Sequence, residues 1–207
     1  MKISIQQQFE HYWLQFQQHY QLDAVHGQVV YAGLVQAYSE TQRAYHSMQH
    51  IVECLDLLAQ VLDQLEDPFA VQLAIWFHDA VYDPQATDNE QQSAVLMQQQ
   101  CQPWLSPQQS QKIAAWIEAT QHHQPSKDND LNYLLDIDLA ILGSSASRFA
   151  EYELQIREEY SWVAAEVYAQ KRAAVLQHFY QMQPLYQTEY FSTQLEQRAK
   201  ANLSPSP

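Results

Sequence analysis

Glycine is scarce in this chain, three in 207 residues, and so is positive charge, with ten Lys and Arg against 24 Asp and Glu. So little glycine excludes collagen-like and glycine-rich low-complexity classes, while 46% apolar residues exclude disorder. The formal net charge of −14 repels polyanions and anionic headgroups, so neither a nucleic-acid polymer nor a membrane is expected as a partner. Two cysteines, Cys54 and Cys101, are too few for a disulfide framework. Both fall in apolar-periodic segments, where buried free thiols in a reducing cytoplasm are expected. No window approaches the roughly 18 consecutive apolar residues of a membrane span, and Met1–Phe9 lacks a basic start followed by an apolar run. A cytoplasmic protein is the expectation.

What the chain does have is apolar residues recurring at three and four, the helical period. Phe9, Tyr12, Trp13, Phe16 and Tyr20 form an aromatic stripe, suited either to an intramolecular core or to a homodimer surface. Val29, Val30, Leu34 and Ala37 follow, then Ile51, Cys54, Leu55, Leu58, Val61 and Leu62 on one face. Asp67-Pro68 is a helix start, a capping carboxylate before a proline whose missing N–H is not needed there. The almost wholly apolar segment Phe69–Tyr82 that follows predicts a central helix. Further helices are predicted over Asp88–Cys101, Ser106–Gln121, Asp130–Leu142 with Gly143 as terminator, Ser147–Tyr160, Glu166–Met182 and Pro184–Leu203. The frequent glutamines read as solvated helix surface. With no alternating run and no linker-like stretch, the expectation is an all-α single domain over 1–207, with a frayed tail at Ser204–Pro207.

Three clusters carry chemistry. His78-Asp79 sits in the apolar central segment, where a carboxylate needs a cation or hydrogen-bond donors. It is either half of a metal site or a hydrogen-bonded pair at a helix end. Arg43-Ala44-Tyr45-His46-Ser47-Met48-Gln49-His50 opens the preceding helix and sets His46 and His50 four apart on one face, His50 among apolar neighbours. Two successive helices that each direct a His inward make a shared metal the better explanation. Asp136 and Asp138 lie in another apolar helix on different faces, so at most one points at a common centre, and Asp136 has helix capping as its alternative. Asp83, Glu90, His122 and His123 stand in or beside polar loops, as partners for such a centre or as plain solvated polarity.

The order His50, His78-Asp79, Asp138 resembles the H…HD…D pattern of the HD superfamily of metal-dependent phosphohydrolases, an all-α fold. Longer strings carry the likeness to one family of these. They are Arg43-x-Tyr45-His46-x-x-x-His50, Ala74-x-Trp76-Phe77-His78-Asp79-x-Val81-Tyr82-Asp83, Asn89-Glu90-x-x-Ser93-Ala94, Asp136-x-Asp138-Leu-Ala-Ile-Leu-Gly143 and Ile156-Arg157-x-Glu159-Tyr160. Tyr186-x-Thr188 and the stretch from Glu196 to Asn202-Leu203 are similar too, so the resemblance spans nearly the whole chain.

The resemblance implies an HD-domain helical protein in which His50, His78, Asp79 and Asp138 hold a divalent metal, with His46 and Asp136 as alternatives for His50 and Asp138. Imidazole with carboxylate suits Mn, Fe, Co, Ni, Zn or Mg without choosing among them. The implied activity is hydrolysis of a small phosphate ester, a nucleotide or related metabolite, with Asp79 and Glu90 orienting or deprotonating water. Arg43, His46, Asp83, His122, His123 and Arg157 are the implied substrate contacts, arginine's fork suiting phosphate. Each arginine, Arg172 included, has an ion pair with a nearby acid as its alternative. A non-catalytic metal- or nucleotide-binding protein and a di-iron oxygenase on the same fold are the competing functions.

Overall fold

The computed structural model describes residues 3–204, all but Ser204 of the expected frayed tail lying outside them. Among these residues ten α-helices and three short 3-10 turns form, and no strand, as the helical period predicts. No helix is long and apolar enough to cross a membrane among the described residues. The chain folds as two compact units, the first ending at Gln124 and the second starting at Pro125, where the sequence suggests no boundary.

The first unit holds α1 (Ile5–His19), α2 (Ala24–Ala37), α3 (Met48–Leu58), α4 (Pro68–Phe77), α5 (Asn89–Cys101) and α6 (Pro107–Ala119). Helix α4 is its centre, packed against α3, α5 and α6. Asp67 caps it through Ala70 N and Pro68 occupies its first turn, as the sequence predicts. Of the aromatic stripe, Phe9, Trp13 and Phe16 of α1 are core while Tyr12 and Tyr20 are half-buried, and Phe9 and Trp13 meet Trp76 of α4 edge-on, ring centroids 4.9 and 5.2 Å apart. Cys54 and Cys101 are buried free thiols, as expected. Two expected core members are not core. Val29 is 66% exposed, because α2 buries the face of Gly27, Val30 and Leu34, and Leu62 lies exposed beyond the end of α3.

The second unit holds α7 (Asn129–Asp138), a 3-10 turn (Leu139–Gly143), α8 (Ala146–Glu159), α9 (Ala165–Gln181) and α10 (Glu189–Leu203). Helix α10 packs on the 3-10 turn and satisfies its carbonyls: Asn202 Nδ2 donates to Leu142 O and Ser144 O, and Arg198 Nε to Gly143 O. Tyr186, just before α10, donates its hydroxyl to Leu139 O. Helix α10 starts at Glu189 and not at Pro184, because Thr188 is its cap, accepting from Phe191 N.

Candidate metal centre

Two predicted helices end or begin differently from expectation, and both differences shape the site. Helix α4 stops at Phe77, so His78-Asp79 is a turn beyond the helix end instead of a helical segment running to Tyr82. Ser47 precedes the first residue of α3, so His46 lies in the turn before that helix and shares no helical face with His50. His50, in the first turn of α3, faces the core and is 2% exposed.

A helix end leaves four carbonyls without intrahelical partners, and those of α4 are all answered. Ala74 O accepts from His78 N (2.8 Å), Ile75 O from His78 Nδ1 (3.0 Å), Trp76 O from the Tyr38 hydroxyl (3.0 Å) and Phe77 O from Ala80 N (3.0 Å). The exit loop continues the pattern. Arg43 donates to Asp79 O and Ala80 O, Ser93 Oγ bonds both the N–H and the carbonyl of Val81, and Asn89 pairs its side-chain amide with the backbone of Asp83. The loop is therefore a fixed cradle, built by Arg43, Ser93 and Asn89 of the sequence strings.

The bond from His78 Nδ1–H to Ile75 O sets the tautomer, so the neutral ring turns a bare Nε2 lone pair inward. That atom lies 3.0 Å from His50 Nε2, and Asp79 Oδ2 lies 3.1 Å from His78 Nε2 and 3.5 Å from His50 Nε2. Two donors held about 2.1 Å from one ion are about 3.0 Å apart at a right angle and about 3.4 Å apart at the tetrahedral angle. Two edges of this triangle fall in that span and the third, 3.5 Å, lies just beyond it. Burial alone would push the Asp79 carboxyl up, but when the imidazoles of His78, His46 and His50 are protonated their charge outweighs it and holds Asp79 well below the usual carboxylate range. With the rings neutral, a carboxylate oxygen facing two buried imidazole nitrogens is a His/His/Asp cluster that fits a divalent cation.

The other predicted residues take several places. His46 is half-buried, its ring stacked on Tyr82 at 4.2 Å between centroids and 6.3 Å from His50. Glu90 is half-buried in the first turn of α5, and Asp83 is exposed, its Oδ1 accepting from Gln85 N. His122 and His123 follow the end of α6, His123 with a positive φ of 49°. Asp138, half-buried, is the last residue of α7 in the second unit. Asp136 is not a helix cap, a role that Asp128 takes. Its oxygens accept from Gln187 N, Thr188 N and Thr188 Oγ1 at 2.6–2.8 Å, which removes it as an alternative ligand, and burial pushes its carboxyl up to about 6.

Two of the implied phosphate contacts are instead internal. Arg43, with a side chain 0% exposed, gives its fork to Glu40 and to the carbonyls of His46, Asp79 and Ala80. Arg157 gives Nη1 and Nη2 to the carbonyls of Tyr160 and Val163 beyond α8 and lies over the Tyr168 ring. Arg172 pairs with Glu153 at 2.5 Å, the outcome held open for it. In each case a backbone or acidic acceptor takes the fork, and desolvating a guanidinium makes such partners necessary. Sequence reasoning gave no role to Tyr38 and none to Ser93 beyond its string. A hydroxyl in the second turn of α5 and a Tyr just beyond the end of α2 carry no periodic signal of what they hold.

No family model, curated protein or solved structure matches the chain.

Proposed function

We propose that this chain is a metal-dependent phosphohydrolase of the HD type, acting in the cytoplasm on a small phosphate ester, a nucleotide or a related metabolite. The observation that supports it most is the convergence of His50 Nε2, His78 Nε2 and Asp79 Oδ2 within 3.0–3.5 Å. His50, His78 and Asp79 would hold the ion, and Asp138 is proposed as a further carboxylate on the strength of its sequence string. When bound, a divalent ion supplies Lewis acidity and lowers the pKa of water.

The chain's own residues would do the remainder. Asp79, with Oδ2 given to the ion, would orient the attacking water through Oδ1, and Glu90 would take its proton. With Arg43 and Arg157 engaged internally, contacts to the phosphoryl oxygens fall to His46, His122 and His123, and Asp83 would accept from substrate hydroxyls. A phosphoryl group needs charge neutralised and the nucleophile held in line, and positioned imidazoles supply both.

The test is elemental analysis of protein purified without chelator, with a panel of phosphomonoesters and nucleotides assayed with added Mn²⁺. Asp79→Ala should lose most of the bound metal and drop turnover at least a hundredfold. Equal metal content and equal turnover in that variant would refute the proposed site. Nucleotide binding without turnover in the parent would instead identify a binding protein.

A further inference from the structure

Arg43 is the most heavily engaged cation of the first unit, and its partners lie in three separate stretches of sequence. Nε bonds Glu40 Oε2 at 2.9 Å, Nη1 bonds His46 O at 3.1 Å and Asp79 O at 2.6 Å, and Nη2 bonds Ala80 O at 3.1 Å. Its guanidinium carbon lies 5.3 Å from the centroid of the Tyr38 ring and 5.4 Å from that of Tyr82, and Tyr82 in turn stacks on His46. One planar group therefore joins the turn that leads into His50 to the turn that carries Asp79.

We propose that Arg43 is the positioning residue of the His50/His78/Asp79 centre, setting the distance between its two halves. The physical reason is the geometry of the fork. A guanidinium offers five N–H donors at fixed angles in one plane, so the carbonyls it bonds are fixed relative to one another. A lysine ammonium is a compact charge on a flexible stem and reaches one turn or the other without dictating their separation. Two of the held carbonyls belong to Asp79 and Ala80, so an error there is passed directly to Asp79 Oδ2. Glu40, whose side chain is 43% exposed, sits at the outer end and contributes least.

The experiment compares the parent, Arg43→Lys and Glu40→Gln, each as the full chain, in two measurements. Amide hydrogen exchange without metal should show residues 44–50 and 78–82 exchanging at least tenfold faster together in Arg43→Lys, with α1 unchanged. Cobalt(II) titration should show at least tenfold weaker binding in that variant and an altered visible spectrum, a signature that a general loss of stability would not produce. Glu40→Gln should stay within threefold of the parent in both. Unchanged exchange in the two turns, or an unchanged cobalt affinity and spectrum in Arg43→Lys, would overturn the proposal. The cobalt arm rests on the proposed metal centre. If the parent takes up no cobalt, that reading fails, and the exchange arm alone decides whether Arg43 couples the two turns.

Discussion

Asp136 and Asp138 are two positions apart in a single apolar string, and what the Asp136 oxygens meet gives that residue a structural role. Asp136 binds the backbone N–H groups of Gln187 and Thr188 and the Thr188 hydroxyl, so it ties α7 to the segment entering α10. Asp136→Ala strands one buried N–H donor, that of Thr188, and one part-buried, that of Gln187, and an unmade buried bond costs about 1–3 kcal/mol. Asp136→Asn sets an amide NH₂ against an N–H that needs an acceptor, and its expected cost is about 2 kcal/mol. Urea unfolding of both variants checks the order, with Ala the worse of the two, and a change below about 0.5 kcal/mol in either would contradict it. At this scale the residue types of the site could be read from sequence while their partners could not. His50, His78 and Asp79 were legible because a buried imidazole or carboxylate needs a reason. Arg43 was legible only as a scarce cation, since a sequence does not show which carbonyls will be close enough to take its fork.

Helices whose ends carry local chemistry were read well, and those ended by tertiary contacts were not. Asp67-Pro68 and Ser106-Pro107 start α4 and α6 through capping that lies within four residues. The end of α4 at Phe77 has no local signal, because apolar residues continue to Tyr82; the turn is held by Tyr38, Arg43 and Ser93 from elsewhere in the unit. Gly143 teaches the same lesson from the other side. Sequence suggests a helix-terminating glycine, yet no glycine among the described residues has a positive φ, and α7 passes into its 3-10 turn at Leu139. Gly143 is needed for closeness instead: an added Cβ would lie 2.7 Å from Leu195 Cβ, 2.9 Å from the Tyr186 hydroxyl and 3.0 Å from Leu195 O. Because backbone is among those atoms, the clash is relieved only by moving α10. Gly143→Ala should therefore destabilise by about 1–3 kcal/mol, as overpacking does. A thermal midpoint equal to the parent's would show that the packing there is looser than these distances imply.

For the molecule as a whole, the charge of −14 acts against compactness, and a cation held by the proposed centre would offset part of that repulsion where it is least screened. Binding to the folded state alone also shifts the unfolding equilibrium. At a free-ion concentration about one hundred times Kd the gain is about 2.7 kcal/mol. For a chain of this size each kcal/mol moves the midpoint by about 2–4 °C, so Mn²⁺ should raise the transition by roughly 5–10 °C. EDTA should reverse the rise, which separates it from a nonspecific salt effect, and equivalent ionic strength as NaCl should reproduce little of it. His50→Ala should abolish the shift, because one of three converging atoms is lost and neither His78 Nε2 nor Asp79 Oδ2 any longer faces it. Asp138→Ala is the informative variant, since the place of Asp138 in the ligand set comes from its sequence string. A smaller shift in that variant adds its carboxylate to the set, and a full-sized shift leaves the ion to His50, His78, Asp79 and water.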